Sequence, residues 1–342
     1  MLNQQRSSRR IPGLVAAIIY PDGSIWGGAS GQSQLEPSRR STPYTPYVVG
    51  SITKTFIAAT IMELVEEGAP ALDDPLSDWL PDYPRAADMT LRHLLSHTSG
   101  VHNYFEQRTY NTKVFKTMKG HHWAPQEILD TFAEPPYFAP GAGYYYSNTN
   151  FILLGMVIEA ETGMDLDGVL DERFITPLGL SDTYFQDNAP PPPTAAHGYL
   201  LKSSGYKQVS DSTNYRPTIS AATVAWAAGA IVASPRDIAR WGHELYGGNL
   251  LEPESLAEMT DYNYSTYAKG AYGLGTRTRI YDGTRMFGHT GSLRGFVGAM
   301  WHYVDADLTI VVLTNRGRID ANPIIDALAA VALAPSRSVA GN

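Results

Sequence analysis

Ser51 and Lys54 stand three residues apart in Ser51-Ile-Thr-Lys54, ahead of an apolar run from Phe56 to Val65 that ends at Gly68. An apolar run of this length closed by glycine reads as a buried helix. Residues i and i+3 share a helix face, so the Lys54 amine can reach the Ser51 hydroxyl. Backbone N–H groups of the first turn point the same way. A serine hydroxyl is a poor nucleophile until a base takes its proton. A lysine in an apolar, cation-rich setting has its pKa lowered and can be that base. The same residues also describe an N-cap serine beside a solvated lysine, and Ser204-Gly-Tyr-Lys207 repeats the spacing in a polar stretch that reads as a loop.

Two further segments carry chemistry. Gly143-Tyr-Tyr-Tyr146-Ser-Asn148 is a glycine-entered aromatic turn ahead of a helix expected over 150–162. Tyr146 offers a phenolic oxygen near the serine, and Asn148 offers an amide to Lys54 and to a substrate carbonyl. The alternative is a surface turn of packed tyrosines in a chain that holds 21. Gly288-His289-Thr290-Gly291-Ser292 falls where an edge strand is expected to begin. Gly291 lets another backbone come close, and the N–H of Ser292 can face an oxyanion.

The elements that position these residues follow from pattern. Leu14 to Tyr20 and Ile25 to Ser30 read as strands joined by the turn Pro21-Asp-Gly-Ser24. Segments 271–280, 285–288, 296–303 and 308–314 read as strands, and 322–333 as an alanine-rich helix. Between the two ends, 51–67, 91–96, 125–132, 150–162, 166–174 and 234–246 read as helices. The four prolines 190–193 read as a stiff extended connection. The expected fold is α/β plus all-α: an antiparallel sheet built from both chain ends, with helices on its faces and a helical insertion. The expected division is a discontinuous sheet domain (1–50 and 225–342) and a mostly helical domain (51–224), with the site on the seam. A length of 342 residues agrees with about two domains.

Composition removes other chemistries. With no cysteine there is no thiol nucleophile, disulfide or thiolate metal site. A net charge of -8 argues against a nucleic-acid footprint. The longest apolar runs are far shorter than the roughly 20 residues that span a bilayer. Met1 to Arg10 carries three arginines, like an export leader, but the apolar stretch after it ends in a turn with no small-residue cleavage site, so a strand is expected there. His93 and His97 lack the glutamate of a zinc-protease helix, and the glycine pairs lack a dinucleotide-site context. No metal and no cofactor is expected.

Ser-x-x-Lys, Tyr-x-Asn and His-Thr-Gly in this order resemble the penicillin-recognising serine hydrolases: penicillin-binding proteins, class C β-lactamases and related esterases. Leu91 to Gly100, Tyr146 to Phe151 and Ala228 to Asp237 resemble further family segments. The resemblance covers about Ile11 to Asn315 and implies a β-lactamase/transpeptidase-like fold. Within the family the chain most resembles actinomycete-type serine D-alanyl-D-alanine carboxypeptidases, which have His-Thr-Gly where class C β-lactamases have Lys-Thr-Gly. That likeness implies that Arg277, in Tyr272-Gly-Leu-Gly-Thr-Arg277, binds a substrate carboxylate with the hydroxyls of Thr290 and Ser292. It implies aromatic walls from Trp226 and from Tyr104-Phe105. A strand-surface charge is the plainer reading of Arg277.

The expected function is acyl transfer through a serine ester. Ser51 is the nucleophile, the N–H groups of Ser51 and Ser292 bind the oxyanion, and Lys54 and Tyr146 share the proton work, with His289 near Tyr146. Which of Lys54 and Tyr146 is the acylation base stays open. A D-Ala-D-Ala-type carboxypeptidase is the first expectation, an esterase, D-aminopeptidase or D-amino-acid amidase the second, and a penicillin sensor without turnover the third. The expected partners are small peptides, amides, esters and β-lactams. The expected compartment is extracellular or periplasmic if a leader has been removed, and cytoplasmic otherwise.

Overall fold

A computed structural model describes residues 1–262, 265–267 and 270–334. Its strands are β1 (Gly13–Ile19), β2 (Ile25–Gln34), β3 (Arg39–Arg40), β4 (Tyr47–Val48), β5 (Thr183–Phe185), β6 (Tyr199–Lys202), β7 (Gly205–Gln208), β8 (Ile231–Ala233), β9 (Ser265–Tyr267), β10 (Gly270–Tyr272), β11 (Arg277–Tyr281), β12 (Thr284–Leu293), β13 (Phe296–Tyr303) and β14 (Leu308–Thr314). Nine form one antiparallel sheet in the order β3-β2-β1-β14-β13-β12-β11-β10-β9. Leu14 pairs with Thr314, so the sheet is assembled from both chain ends as expected.

β1, β13 and β14 are buried along their whole length, because helices cover both faces of the sheet. Side chains alternate across the pleat. Val15, Ala17, Val311 and Leu313 enter a core shared with the helix Pro235–Tyr246 and with the helical segment. Leu14, Ala16, Ile310 and Val312 meet Ile324, Ile325 and Leu328 of the helix Asn322–Ala332 on the other face. Each fully buried Ile or Leu contributes about 1.5–3 kcal/mol, so the continuous apolar run of β1 is what a strand covered on both faces requires.

The helical segment centres on Thr53–Glu66 and Asn148–Thr162, both largely buried. β4 pairs with β8 and β8 with β5 in a small second sheet, which places Val48 just ahead of the turn that carries Ser51. No helix of the described residues is long and apolar enough to cross a membrane.

The structure differs from the sequence reading in several places. β12 is an interior strand, because β11, β10 and β9 extend the sheet beyond it. The strand expected over 271–280 is split, since Gly275 at φ +69° turns the chain and Gly273 N–H donates to the Thr276 carbonyl at 2.9 Å. Ser204 to Lys207 lies in the β6–β7 hairpin and not in a loop. The helices Leu2–Ser8 and Pro253–Thr260 carry no strong apolar period and were not anticipated. The helix expected from residue 150 begins at Asn148, so this asparagine belongs to its first turn.

Candidate active site

Ser51 sits in a single helical turn, Gly50–Ile52, that runs into the helix Thr53–Glu66. Lys54 is completely buried one turn later. Its Nζ lies 3.1 Å from Ser51 Oγ, 2.9 Å from Asn148 Oδ1 and 2.5 Å from the Ala228 carbonyl oxygen. Burial, and then the positive charge of Arg277, hold its pKa well below the ordinary lysine value. Asn148 Oδ1 and the Ala228 carbonyl can only accept. A neutral amine gives them its two N–H bonds, and its lone pair is left for the Ser51 hydroxyl.

Asn148 is oriented by Asn103, which the sequence reading did not single out. Asn103 Oδ1 accepts from both the backbone N–H and Nδ2 of Asn148, at 3.2 and 3.1 Å, and this turns Oδ1 of Asn148 toward Lys54. Asn103 thereby also serves one of the unpaired N–H groups at a helix start.

Tyr146 stands just before the N-cap of that helix, where its phenol feels both Ser51 and Arg277. Burial raises its pKa, and the Arg277 charge and the nearby Ser51 hydroxyl only partly offset this. Lys54 and Tyr146 are thus pushed in opposite directions, the amine toward neutrality and the phenol toward keeping its proton. Lys54 Nζ lies 5.3 Å from the centre of the Tyr146 ring, and the Arg277 guanidinium carbon is also 5.3 Å from it.

His97 forms part of the site's floor. Its ring centre is 4.3 Å from that of Tyr146 and 4.7 Å from that of Tyr272. Nδ1 accepts from Ser147 N–H and Asn150 Nδ2, both at 3.2 Å, so the ring proton sits on Nε2. Burial, with Lys54 and Arg277 nearby, keeps it neutral. The sequence placed His97 in a structural segment, and the only hint of its position was its place in a family-like stretch.

His289 on β12 is buried and held well below the usual imidazole range by burial, Arg277 and Lys54. The Thr290 carbonyl 2.5 Å from Nδ1 can only accept, so Nδ1 carries the proton and Nε2 accepts from Tyr272 Oη at 3.1 Å. Its ring centre is 6.2 Å from that of Tyr146. Both nitrogens are engaged elsewhere, so the expected partnership with Tyr146 in proton transfer is not formed here.

β12 lies directly against the nucleophile turn. A Cβ on Gly291 would meet the Val49 carbonyl oxygen at 1.7 Å, and one on Gly50, at φ +55°, would meet Ser292 N at 2.7 Å. Only glycine permits this approach, and it brings the backbone of Ser292 beside that of Ser51. Thr290 is half-buried and Ser292 exposed. Arg277 opens β11 opposite Gly288, so Thr290 and Ser292 lie farther along the neighbouring strand.

The two expected aromatic walls fare differently. Trp226 is completely buried, its Nε1 donates to Asp187 Oδ2 at 3.0 Å, and a Cβ on Gly155 would meet its ring at 2.6 Å. It packs in the core and does not wall the site, because the absent side chain of Gly155 opens a slot for the indole. Phe105 is half-buried and stacks on Tyr110 at 4.7 Å between ring centres. Tyr104 is buried and its hydroxyl donates to the Val224 carbonyl. A cavity of about 510 Å³ lined by Tyr83, His102, Tyr104 and Thr149 does not include Ser51.

The arrangement joins a hydroxyl, a buried amine pushed toward neutrality, a phenol pushed toward keeping its proton and the adjoining backbones of Ser51 and Ser292, groups that acyl transfer can use. A family model described as Beta-lactamase matches residues 1–334. The chain is 25% identical over 299 residues to penicillin-binding protein 4* of Bacillus subtilis (strain 168), covering 84% of this chain and 64% of that one. It spans about half to two thirds of the length of the curated relatives it matches. Among solved structures, it is similar to a D-stereospecific amidohydrolase from Streptomyces sp., at 30% identity and TM-score 0.84, over 95% of this chain and 96% of that one. It is also similar to the D-amino acid amidase from Ochrobactrum anthropi SV3 complexed with L-phenylalanine amide, at 28% identity and TM-score 0.84, over 97% of both chains. Fold and family model agree: the chain belongs to the beta-lactamase family of serine hydrolases, which includes penicillin-binding proteins.

Proposed function

We propose that the protein hydrolyses small amides and esters through a Ser51 acyl-enzyme, with D-amino-acid amides and short D-peptides as its first substrate class. The observation that carries this reading is the Lys54 amine, 3.1 Å from Ser51 Oγ and, among the described residues, bonded otherwise only to the acceptors Asn148 Oδ1 and Ala228 O. Neutral Lys54 takes the hydroxyl proton as Ser51 Oγ bonds to the substrate carbonyl carbon. The oxyanion is held by the N–H groups of Ser51 and Ser292. The C–N or C–O bond then breaks, and the phenol of Tyr146 protonates the leaving group while Lys54 returns its proton to Tyr146. Water attacks the ester by the reverse route and frees Ser51. The substrate class is supported by similarity over nearly whole chains to two solved D-specific amide hydrolases.

A D-Ala-D-Ala-type carboxypeptidase is the second reading, supported by Arg277 on β11 beside the strand that carries Thr290 and Ser292. D- and L-phenylalanine amide, an acyl-D-Ala-D-Ala peptide, a short ester and a penicillin should be compared, with mass spectrometry of the protein. The expected result is a Ser51 adduct, preference for the D-amide, and loss of all turnover in Ser51→Ala. Hydrolysis that survives Ser51→Ala refutes the mechanism. Faster cleavage of the D-Ala-D-Ala peptide, lost selectively in Arg277→Ala, favours the second reading.

A further inference from the structure

At the end of β13 remote from the site, three ligand-type side chains converge. His302 lies four residues along β13 from Gly298, which neighbours Ile52 of the nucleophile turn, or about 14 Å at strand rise. His243 is in the last turn of the helix Pro235–Tyr246, and Asp307 is in the β13–β14 turn at φ +44°. His243 Nδ1 is 3.4 Å from Asp307 Oδ1, His302 Nε2 is 3.9 Å from the same oxygen, and the three ligand atoms lie within 4.8 Å of one another.

We propose that His243, His302 and Asp307 form a binding site for a divalent transition-metal ion, zinc first, separate from the hydrolytic centre. Two imidazoles and a carboxylate are a zinc-type donor set, and a tetrahedral ion with bonds of about 2.1 Å sets its ligand atoms about 3.4 Å apart. The His243–Asp307 distance already meets that spacing, and the two distances from His302 Nε2, 3.9 Å to Asp307 Oδ1 and within 4.8 Å to His243, close with side-chain movements of about an ångström. His243 and His302 are more than nine-tenths buried. His243 Nδ1 and Asp307 Oδ1 are buried atoms that face each other with no hydrogen-bond partner among the described residues. Buried polar atoms are ordinarily satisfied, and a cation between them satisfies both. His302 Nδ1 lies 3.0 Å from Thr309 Oγ1, its cross-strand neighbour. When that hydroxyl accepts, Nε2 presents its lone pair to the cluster, the outer hydrogen bond expected of a metal-bound imidazole. The Asp307 side chain is half exposed, which gives the ion a way in and water a fourth position. The bound ion ties the end of a core helix to the β13–β14 turn and takes no part in acyl transfer.

The test is titration of the chelator-treated full chain with Zn2+ by calorimetry, and with Co2+ by visible absorption. One ion per chain is expected, with a rise in Tm. Asp307→Asn, on an exposed turn, and His243→Asn each weaken binding at least tenfold and abolish the Zn2+-dependent rise in Tm, while ester hydrolysis stays intact as evidence of folding. Thr309→Val weakens binding about 10- to 100-fold. If the wild-type chain takes up no Zn2+ in equilibrium dialysis, or if Asp307→Asn and His243→Asn bind it as tightly as wild type, the proposal is overturned.

Discussion

Asn103 makes no contact with the serine, yet Asn103→Ala should disable it. Asn103 Oδ1 is the acceptor for both the backbone N–H and the side-chain N–H of Asn148. Its removal leaves two buried donors unserved, at about 1–3 kcal/mol each where nothing replaces the acceptor, or a Tm lower by several degrees. The larger effect is on orientation. Without Asn103 the two ends of the Asn148 amide are no longer distinguished, and a flipped amide points N–H at Lys54 Nζ in place of the oxygen now at 2.9 Å. The amine lone pair is then taken by Asn148 and lost to Ser51. General-base assistance contributes about 10²- to 10⁴-fold, so kcat should fall at least a hundredfold with little change in KM. The Lys54 ammonium also loses an acceptor, which lowers its pKa further, so the acid limb of the pH–rate profile should move to lower pH. Steady-state hydrolysis of a chromogenic ester across pH, with a thermal melt as control, measures all three effects. A folded variant with kcat within threefold of wild type and an unmoved acid limb would refute the lone-pair account.

Gly291→Ala places a methyl 1.7 Å from the Val49 carbonyl oxygen, so β12 must move away from the nucleophile turn by more than an ångström. A misplacement of that size costs about 10²-fold in rate, and overpacking about 1–3 kcal/mol in stability; ester kinetics and a urea melt check both. His197 accepts from Arg216 at 3.3 Å and is held at about 4 by burial, Arg216 and Arg39. Its folded pKa lies below the value of about 6.5 for a free imidazole, so the unfolded chain takes up the proton first. Stability should therefore fall between pH 6.5 and about 4, by up to about 3 kcal/mol, and His197→Gln should flatten that part of the stability–pH curve.

The sequence made the nucleophile and its base legible because three residues on a helix is a local relation: Ser51 and Lys54 meet with no help from the rest of the chain. β13 and β14 were legible with their bounds, since turn residues flank continuous apolar runs. Asn103 and His97 were not, because what makes them matter is their contact with the segment 146–150, which only packing of the helical part creates. Trp226 looked like a wall because an aromatic residue in a family-like segment says nothing of Gly155, whose missing side chain admits the indole to the core. The interior place of β12 is not legible either: a strand over 271–280 is, but the order of strands across a sheet is set by pairing and not by position along the chain. His243, His302 and Asp307 come from a helix, a strand and a turn, and no spacing along the chain announces them.

The pairing of Leu14 with Thr314 has a consequence for synthesis. While the chain grows from its amino end, β1 and β2 can form their hairpin early, but the other edge of β1 waits for a partner encoded about 300 residues later. Such non-local pairing slows folding and leaves a strand open to wrong partners in the interval. The nucleophile turn waits as well, because the strand that carries Gly291 and Ser292 emerges late. A nascent chain holding Ser51, Lys54 and Tyr146 therefore lacks half of the proposed oxyanion site until that strand has emerged.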